Sequence, residues 1–272
     1  MADALATLPQ MIGGGSVSAT AFWFFCCLSV FVVSITKSGF GGSIGALAAP
    51  IMLTVMPAKL ALGVLLPLYL CADIWTVYLW RGYAVWWLLF WMVLFAVLGQ
   101  FLGWLVIGYI DDDMLKAVIG VIALVTGGRH FISMLPVTLG RLKAPHHKLM
   151  RQQHRKRASV WCSLSGFSSF VSLTGGIPIQ VFMLPMKLQR FFVVGTLAWY
   201  FLFINVAKLP FFIELDIFTA DTLMLSLILL PVVPAGVIVG RWLNKNTSDR
   251  LFYHIANAAL VILGARLLFG GP

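Results

Sequence analysis

The sequence predicts an all-α polytopic membrane protein made of two inverted repeats, each a glycine-broken helical hairpin followed by three transmembrane helices. Three observations predict it. The first is composition: 272 residues, 61% hydrophobic and only 10% charged, with a mean hydropathy of +0.97, far from the balance of a soluble domain. The second is the recurrence of apolar runs near the ~20 residues that a helix needs to cross ~30 Å of hydrocarbon. The third is a pair of glycine-rich interruptions inside apolar sequence, "KSGFGGSIGALAAP" from Lys37 to Pro50 and "SLTGGIPIQVFMLP" from Ser172 to Pro185.

Charge orients the elements. The net charge is +10, and seven of the nineteen basic residues fall in "RLKAPHHKLMRQQHRKR", Arg141 to Arg157, with no acid among them. A basic loop between spans marks the cytoplasmic face, whereas a nucleic-acid partner would need a domain to read it, so none is expected. The first hairpin, Ala21 to Val55, returns to the side where it begins. Leu60 to Trp80 then runs inward to Arg81, and Ala84 to Ile110 runs outward to the acidic Asp111 to Asp113. Leu115 to Pro136 comes back to the basic loop. Lys59 is an exception to the charge rule. After the loop the second hairpin, Ser159 to Leu184, again returns inside. Phe191 to Ile213 ends outside at Glu214 and Asp216, Thr222 to Val239 ends inside at Arg241, Lys245 and Arg250, and Leu251 to Phe269 ends outside.

Both termini are therefore expected outside, and the early apolar run, lacking a clear signal-peptidase site, is read as part of the mature protein. The division is 1–136 for the first repeat, 137–158 for the basic cytoplasmic loop and 159–272 for the second repeat. A hairpin plus three crossings is an odd number, so the copies have opposite orientations, the plan of secondary transporters. Aligned on their Gly-Gly pairs, Gly41/Gly42 and Gly175/Gly176, the halves continue in parallel: Pro50 and Pro185, Gly63 and Gly195, Asp73 and Asn205, Thr76 and Lys208.

Backbone broken by glycine cannot face lipid with its N–H and C=O groups unpaired, so the two breaks are expected to meet near the midplane, in protein or against a wet cavity. The arm after each break begins a new helix, whose free N–H groups and positive dipole end favour an anion. Polar groups at membrane depth cost roughly 2.5 to 3.5 kcal/mol each on insertion scales, which makes Lys37, Asp73 and Lys208 functional candidates. Lys37 is expected to contact substrate and to pair with Asp73. Lys208, near the outer end of its span, has snorkelling to the interface as its other reading. Asn205, Gln100 and Gln180 are candidates equally for helix–helix hydrogen bonds. The candidate substrate-binding set is Lys37, Ser38, Gly41, Gly42, Ser43, Asp73, Thr174, Gly175, Gly176, Gln180, Thr196, Asn205 and Lys208.

Other chemistry finds less support. Gly41-x-Ser43-x-Gly45 matches the hydrolase nucleophile elbow only as a pattern, outside the strand–turn–helix setting it needs, and the late His254 lies near the cytoplasmic boundary. No Walker A sequence or cofactor motif is present, so no cofactor is expected. His146, His147 and His154 lack zinc spacing and accompanying carboxylates, and Cys26, Cys27, Cys71 and Cys162 read as small packing residues. Arg129, His130 and Arg266 are assigned to headgroup contact, and the tryptophans, including "VWWLLFW" from Val85 to Trp91, to interface anchors.

"KSGFGGSIGALAAP", "LLPLYLCADIW" from Leu65 to Trp75, "GGIPIQVFMLP" and "FFVVGTLAWYFLFINVAKLPFF" from Phe191 to Phe212 together resemble the TauE/SafE family of sulfite and organosulfonate exporters. The positions that match its motif are Lys37, Phe40, Gly41, Gly42, Pro50, Asp73, Gly175, Gly176, Pro178, Gly195, Thr196, Asn205 and Lys208. The chain departs from the family pattern at Leu173, where many relatives carry histidine, and at Ile177-Pro178, where they carry a proline pair. The resemblance implies a bacterial inner-membrane carrier that moves sulfur-containing anions such as sulfite or sulfoacetate outward. An anion channel on the same hairpins is the alternative, and a homo-oligomer is left open.

Overall fold

The computed structural model describes residues 8–9, 12, 18–42, 48–106, 124, 147–186, 188–248, 251, 254–255, 258, 261–262 and 265. Nine helices carry the argument: α1 (Ala19–Phe40), α2 (Ala48–Leu53), α3 (Ala58–Trp80), α4 (Trp86–Val106), α5 (His147–Ser172), α6 (Gly176–Met183), α7 (Arg190–Glu214), α8 (Ala220–Leu229) and α9 (Val232–Asn246). Short 3-10 turns, Arg81–Tyr83 and Leu184–Met186, follow α3 and α6, and no strand occurs among the described residues. Among the described residues four helices, α1, α3, α4 and α7, are long and apolar enough to cross a membrane. α8 and α9 make a fifth crossing if the bent pair is one span.

The expected spans at Leu60 to Trp80, Ala84 to Ile110 and Phe191 to Ile213 correspond to α3, α4 and α7. The expected span Thr222 to Val239 is bent by 48° between α8 and α9. Pro231 stands at the bend, where its missing N–H and fixed φ interrupt the helical ladder. Part of the expected basic loop is helical as well, because α5 starts at His147 and carries Arg151, Arg155, Lys156 and Arg157 on its first turns. The remainder of that loop and most of the expected spans Leu115 to Pro136 and Leu251 to Phe269 lie outside the described residues.

Each long hairpin helix ends in the same way. At the end of α1, Gly41 takes φ 66° and Gly42 φ 82°, and the Gly42 N–H donates to Thr36 O at 2.9 Å. At the end of α5, Leu173 takes φ 57° and the Thr174 N–H donates to Ser168 O at 3.4 Å. Both ends turn through a left-handed residue, and the next N–H reaches a carbonyl six positions back. The Gly-Gly pairs are therefore not structurally equivalent, and the register read from them is off by two in the hairpins. One constant offset instead relates Lys37 to Ser169, Gly41 to Leu173, Gly63 to Gly195, Asp73 to Asn205 and Thr76 to Lys208. It also relates the last residues of α1 and α5 and the first residues of α3 and α7. Leucine in the left-handed region is strained.

Close helix contacts run through small residues. Gly236 and Gly240 of α9 lie against Phe31, Ser34 and Ile35 of α1, while Gly39 lies against Gly240, so α1 and α9 run parallel. Gly99 and Gly103 of α4 lie against Ser163 and Phe170 of α5, and Gly166 of α5 against Ala96, so this pair is parallel too. In both, Gly-x-x-x-Gly removes the Cβ atoms that would hold the backbones apart. α3 and α7 run antiparallel. Gly63 near the start of α3 meets Ile217 and Thr222 beyond the end of α7, and Gly195 near the start of α7 meets Tyr83 beyond the end of α3. One core packs Phe22, Val30, Leu65 and Val233 together, a second packs Met92, Cys162, Phe182 and Tyr200, and a smaller one packs Leu66, Phe170, Phe212 and Ile217.

A side chain at Gly166 would collide with the Ala96 backbone, whereas nothing lies within 4 Å of a Cβ at Gly82. Gly166→Leu is expected to lower stability by about 1–3 kcal/mol or more, the cost of overpacking, and Gly82→Ala to leave it nearly unchanged. Thermal unfolding of the two variants in detergent checks the contrast.

Candidate functional site

The end of α1 places the site. Its last carbonyls have no partner within the helix, and three other helices supply donors. The Trp80 indole N–H of α3 donates to Ser38 O at 3.1 Å, Asn244 Nδ2 of α9 to Gly39 O at 2.6 Å, and Gln180 Nε2 of α6 to Phe40 O at 2.8 Å. Gln180 thereby joins the first break to the arm of the second. Gly41 and Gly42 stand against Leu197 and Phe201 of α7, with no room for a Cβ. At the second break, Ser165 Oγ donates to Gly175 O at 2.6 Å and receives the Tyr200 hydroxyl at 2.8 Å. Gly175 itself lies against the Ser169 side chain.

Beside these breaks a buried polar chain crosses from one half to the other. Lys37 Nζ pairs with Asp73 Oδ1 at 2.5 Å. Asn205 Nδ2 donates to Asp73 Oδ2 at 2.6 Å, and Asn205 Oδ1 accepts from Lys208 Nζ at 2.9 Å. Lys208 Nζ also donates to Ser169 Oγ at 2.8 Å. Asn205 suits its place because its amide offers a donor to the carboxylate and an acceptor to the ammonium at once. Lys37 is 4% exposed, Asp73 1% and Lys208 0%. The Lys37 ammonium also lies over the Tyr69 ring, 4.7 Å from its centroid, and over the Phe201 ring at 5.1 Å.

The formal charges do not cancel: two lysines face one aspartate. Among the described residues the other acids, Glu214, Asp216 and Asp221, lie at or beyond the end of α7. Counted formally, the chain has one positive charge in excess, deep in the bundle, where a charge without a partner is expensive.

Lys37, Asp73, Asn205 and Lys208 are gathered into one chain, and Ser38, Gly41, Gly42, Thr174, Gly175, Gly176 and Gln180 form the two breaks around it, all buried. Ser43, with Gly45 of the hydrolase-like pattern, lies outside the described residues. Thr196 is not part of the chain. Its Oγ accepts the Val85 N–H at 3.0 Å and so fastens the α3–α4 connection to the start of α7. Lys208 does not snorkel, because Ser169 and Asn205 hold its ammonium inside the bundle. Gln100 donates to Ile204 O at 2.8 Å, a helix–helix contact. Ser169 and Tyr69 were missed by motif reasoning. The serine run Ser165, Ser168, Ser169 in the less charged second half of α5 was the available signal. No group of three or more His, Cys, Asp or Glu in metal-binding reach occurs among the described residues.

The buried pair predicts an asymmetric response. Lys37→Met or Asp73→Asn alone leaves a buried group without its partner and is expected to cost about 3–5 kcal/mol, while the double substitution should cost far less. Detergent unfolding of the three variants measures it, and equal damage in all three would show that the pair is not coupled.

A protein-family model described as sulfite exporter TauE/SafE matches residues 26–267. No curated protein and no solved structure gives a significant match. The match spans both breaks, the buried polar chain and all nine helices save the first turns of α1. The chain belongs to the TauE/SafE sulfite exporter family.

Proposed function

We propose that this protein is a secondary carrier exporting sulfur-containing anions, sulfite or a small organosulfonate, across the bacterial inner membrane. The observation that carries the reading is the surplus positive charge of the Lys37–Asp73–Asn205–Lys208–Ser169 chain, buried where two helices break. An anion bound there balances the charge. α6 adds to the positive potential, since its N-terminus at Gly176 follows Gly175, which lies against Ser169, the acceptor of Lys208. An ammonium and helix-end N–H groups suit sulfur oxyanions because they need no planar guanidinium fork. Asp73 holds half of the cationic charge in the empty state.

Two inverted halves give such a site its alternating access. In support, α3 and α7 are antiparallel and exchange contacts reciprocally, α1 is clasped by α9 and α5 by α4, and one register relates both halves. On this reading both termini face the periplasm and the Arg141 to Arg157 segment the cytoplasm.

Reconstituted protein is expected to move sulfite or an organosulfonate in a saturable manner. Lys208→Met should weaken anion binding about tenfold or more, the usual worth of a charge-assisted hydrogen bond, while the protein still inserts. Unsaturable conductance would instead identify a channel. Membrane-impermeant thiol labelling of single cysteines added at each end should modify both from the periplasmic side, and protection of either would break the inverted arrangement.

A further inference from the structure

Tyr69 brings a buried hydroxyl close to the Lys37–Asp73 pair. Its hydroxyl is buried and has no hydrogen-bond partner among the described residues, whereas the Tyr200 hydroxyl, also buried, is bonded to Ser165. An orphaned buried O–H costs about 1–3 kcal/mol, so an unpaired one beside a charged centre calls for a partner that comes and goes. Tyr69 lies one turn before Asp73 on α3, on the same face. Its ring underlies the Lys37 ammonium, 4.7 Å from the centroid. It also shares a packed cluster with Leu173, the left-handed residue of the second break, and with Ala48, the first residue of α2 beyond the first break.

We propose that the Tyr69 hydroxyl donates to an oxygen of the transported anion and selects multi-oxygen anions over monatomic ones, an assignment that rests on the carrier reading above. The hydroxyl projects from the edge of the ring whose face carries the Lys37 ammonium. A sulfite or sulfonate group, with oxygens spread around a central sulfur, offers a separate oxygen to each donor, whereas a halide offers both the same single centre. A neutral donor fits this place. Lys37 is already held by Asp73, and a third cation would add to the buried surplus, whereas a phenol binds an oxygen without charge.

The test is binding of sulfite, methanesulfonate and chloride to the purified full chain and to Tyr69→Phe, by calorimetry in detergent, with unfolding temperature measured beside it. Tyr69→Phe is expected to weaken sulfite and methanesulfonate about tenfold, to leave chloride unchanged and to hold or raise the ligand-free unfolding temperature. Equal oxyanion affinity in the two proteins overturns the assignment, as does an equal loss for chloride or a fall in ligand-free stability. Absence of oxyanion binding by the unsubstituted chain overturns the carrier reading itself, and the assignment with it, so the two failures are told apart.

Discussion

A helix that stops inside a bilayer leaves carbonyl oxygens that no water and no lipid tail can satisfy, and each one left bare costs several kcal/mol. At the end of α1 this requirement is met by three donors from three different helices: Trp80 on Ser38, Asn244 on Gly39 and Gln180 on Phe40. Those bonds draw α3, α9 and α6 around one point. The break is therefore where the bundle is tied together, not a weak place in it, and the second break comes to the first because Gln180 belongs to its arm.

That convergence depends on surfaces without side chains. Gly39 and Gly240 let α1 and α9 approach until Asn244 reaches Gly39, and Gly41 and Gly42 let the cap lie flat on α7. The latter contact keeps α7 close to α1 and α3, so that Asn205 of α7 bonds Asp73 of α3. Backbone satisfaction thus precedes charge placement. The polar chain in turn is costly to bury, since Lys37, Asp73 and Lys208 leave one formal positive charge in excess. Stability and function pull in different directions here, as is usual where ionisable groups sit at membrane depth.

Much was legible in the sequence because bilayer thickness and the cost of bare backbone act on local composition. Apolar length predicted α3, α4 and α7 within a few residues, and α1 fills the first arm of the expected hairpin Ala21 to Val55. The paired glycines predicted two helix breaks, and the isolated polar residues Lys37, Asp73, Asn205 and Lys208 stood out against apolar surroundings before any contact was known. The bend at Pro231 was not read, since periodicity continues across it. Nor was the true hairpin register, because Leu173 takes a conformation that glycine identity suggested for Gly175.

What the sequence by itself determined was which residues are too costly to be incidental: burial energy per residue is a property of the residue and of its apolar neighbours along the chain. What only the tertiary structure decided was their partners. Lys208 read alone is as consistent with the interface as with the interior, and the choice fell to Ser169 and Asn205, one on a distant helix. Thr196, conspicuous in the motif, turned out to hold the Val85 N–H, and Tyr69, inconspicuous, kept an unbonded hydroxyl beside Lys37. Hydrogen bonds are short and directional, so which donor meets which acceptor depends on how helices remote in sequence pack against one another, and no run of residues records that.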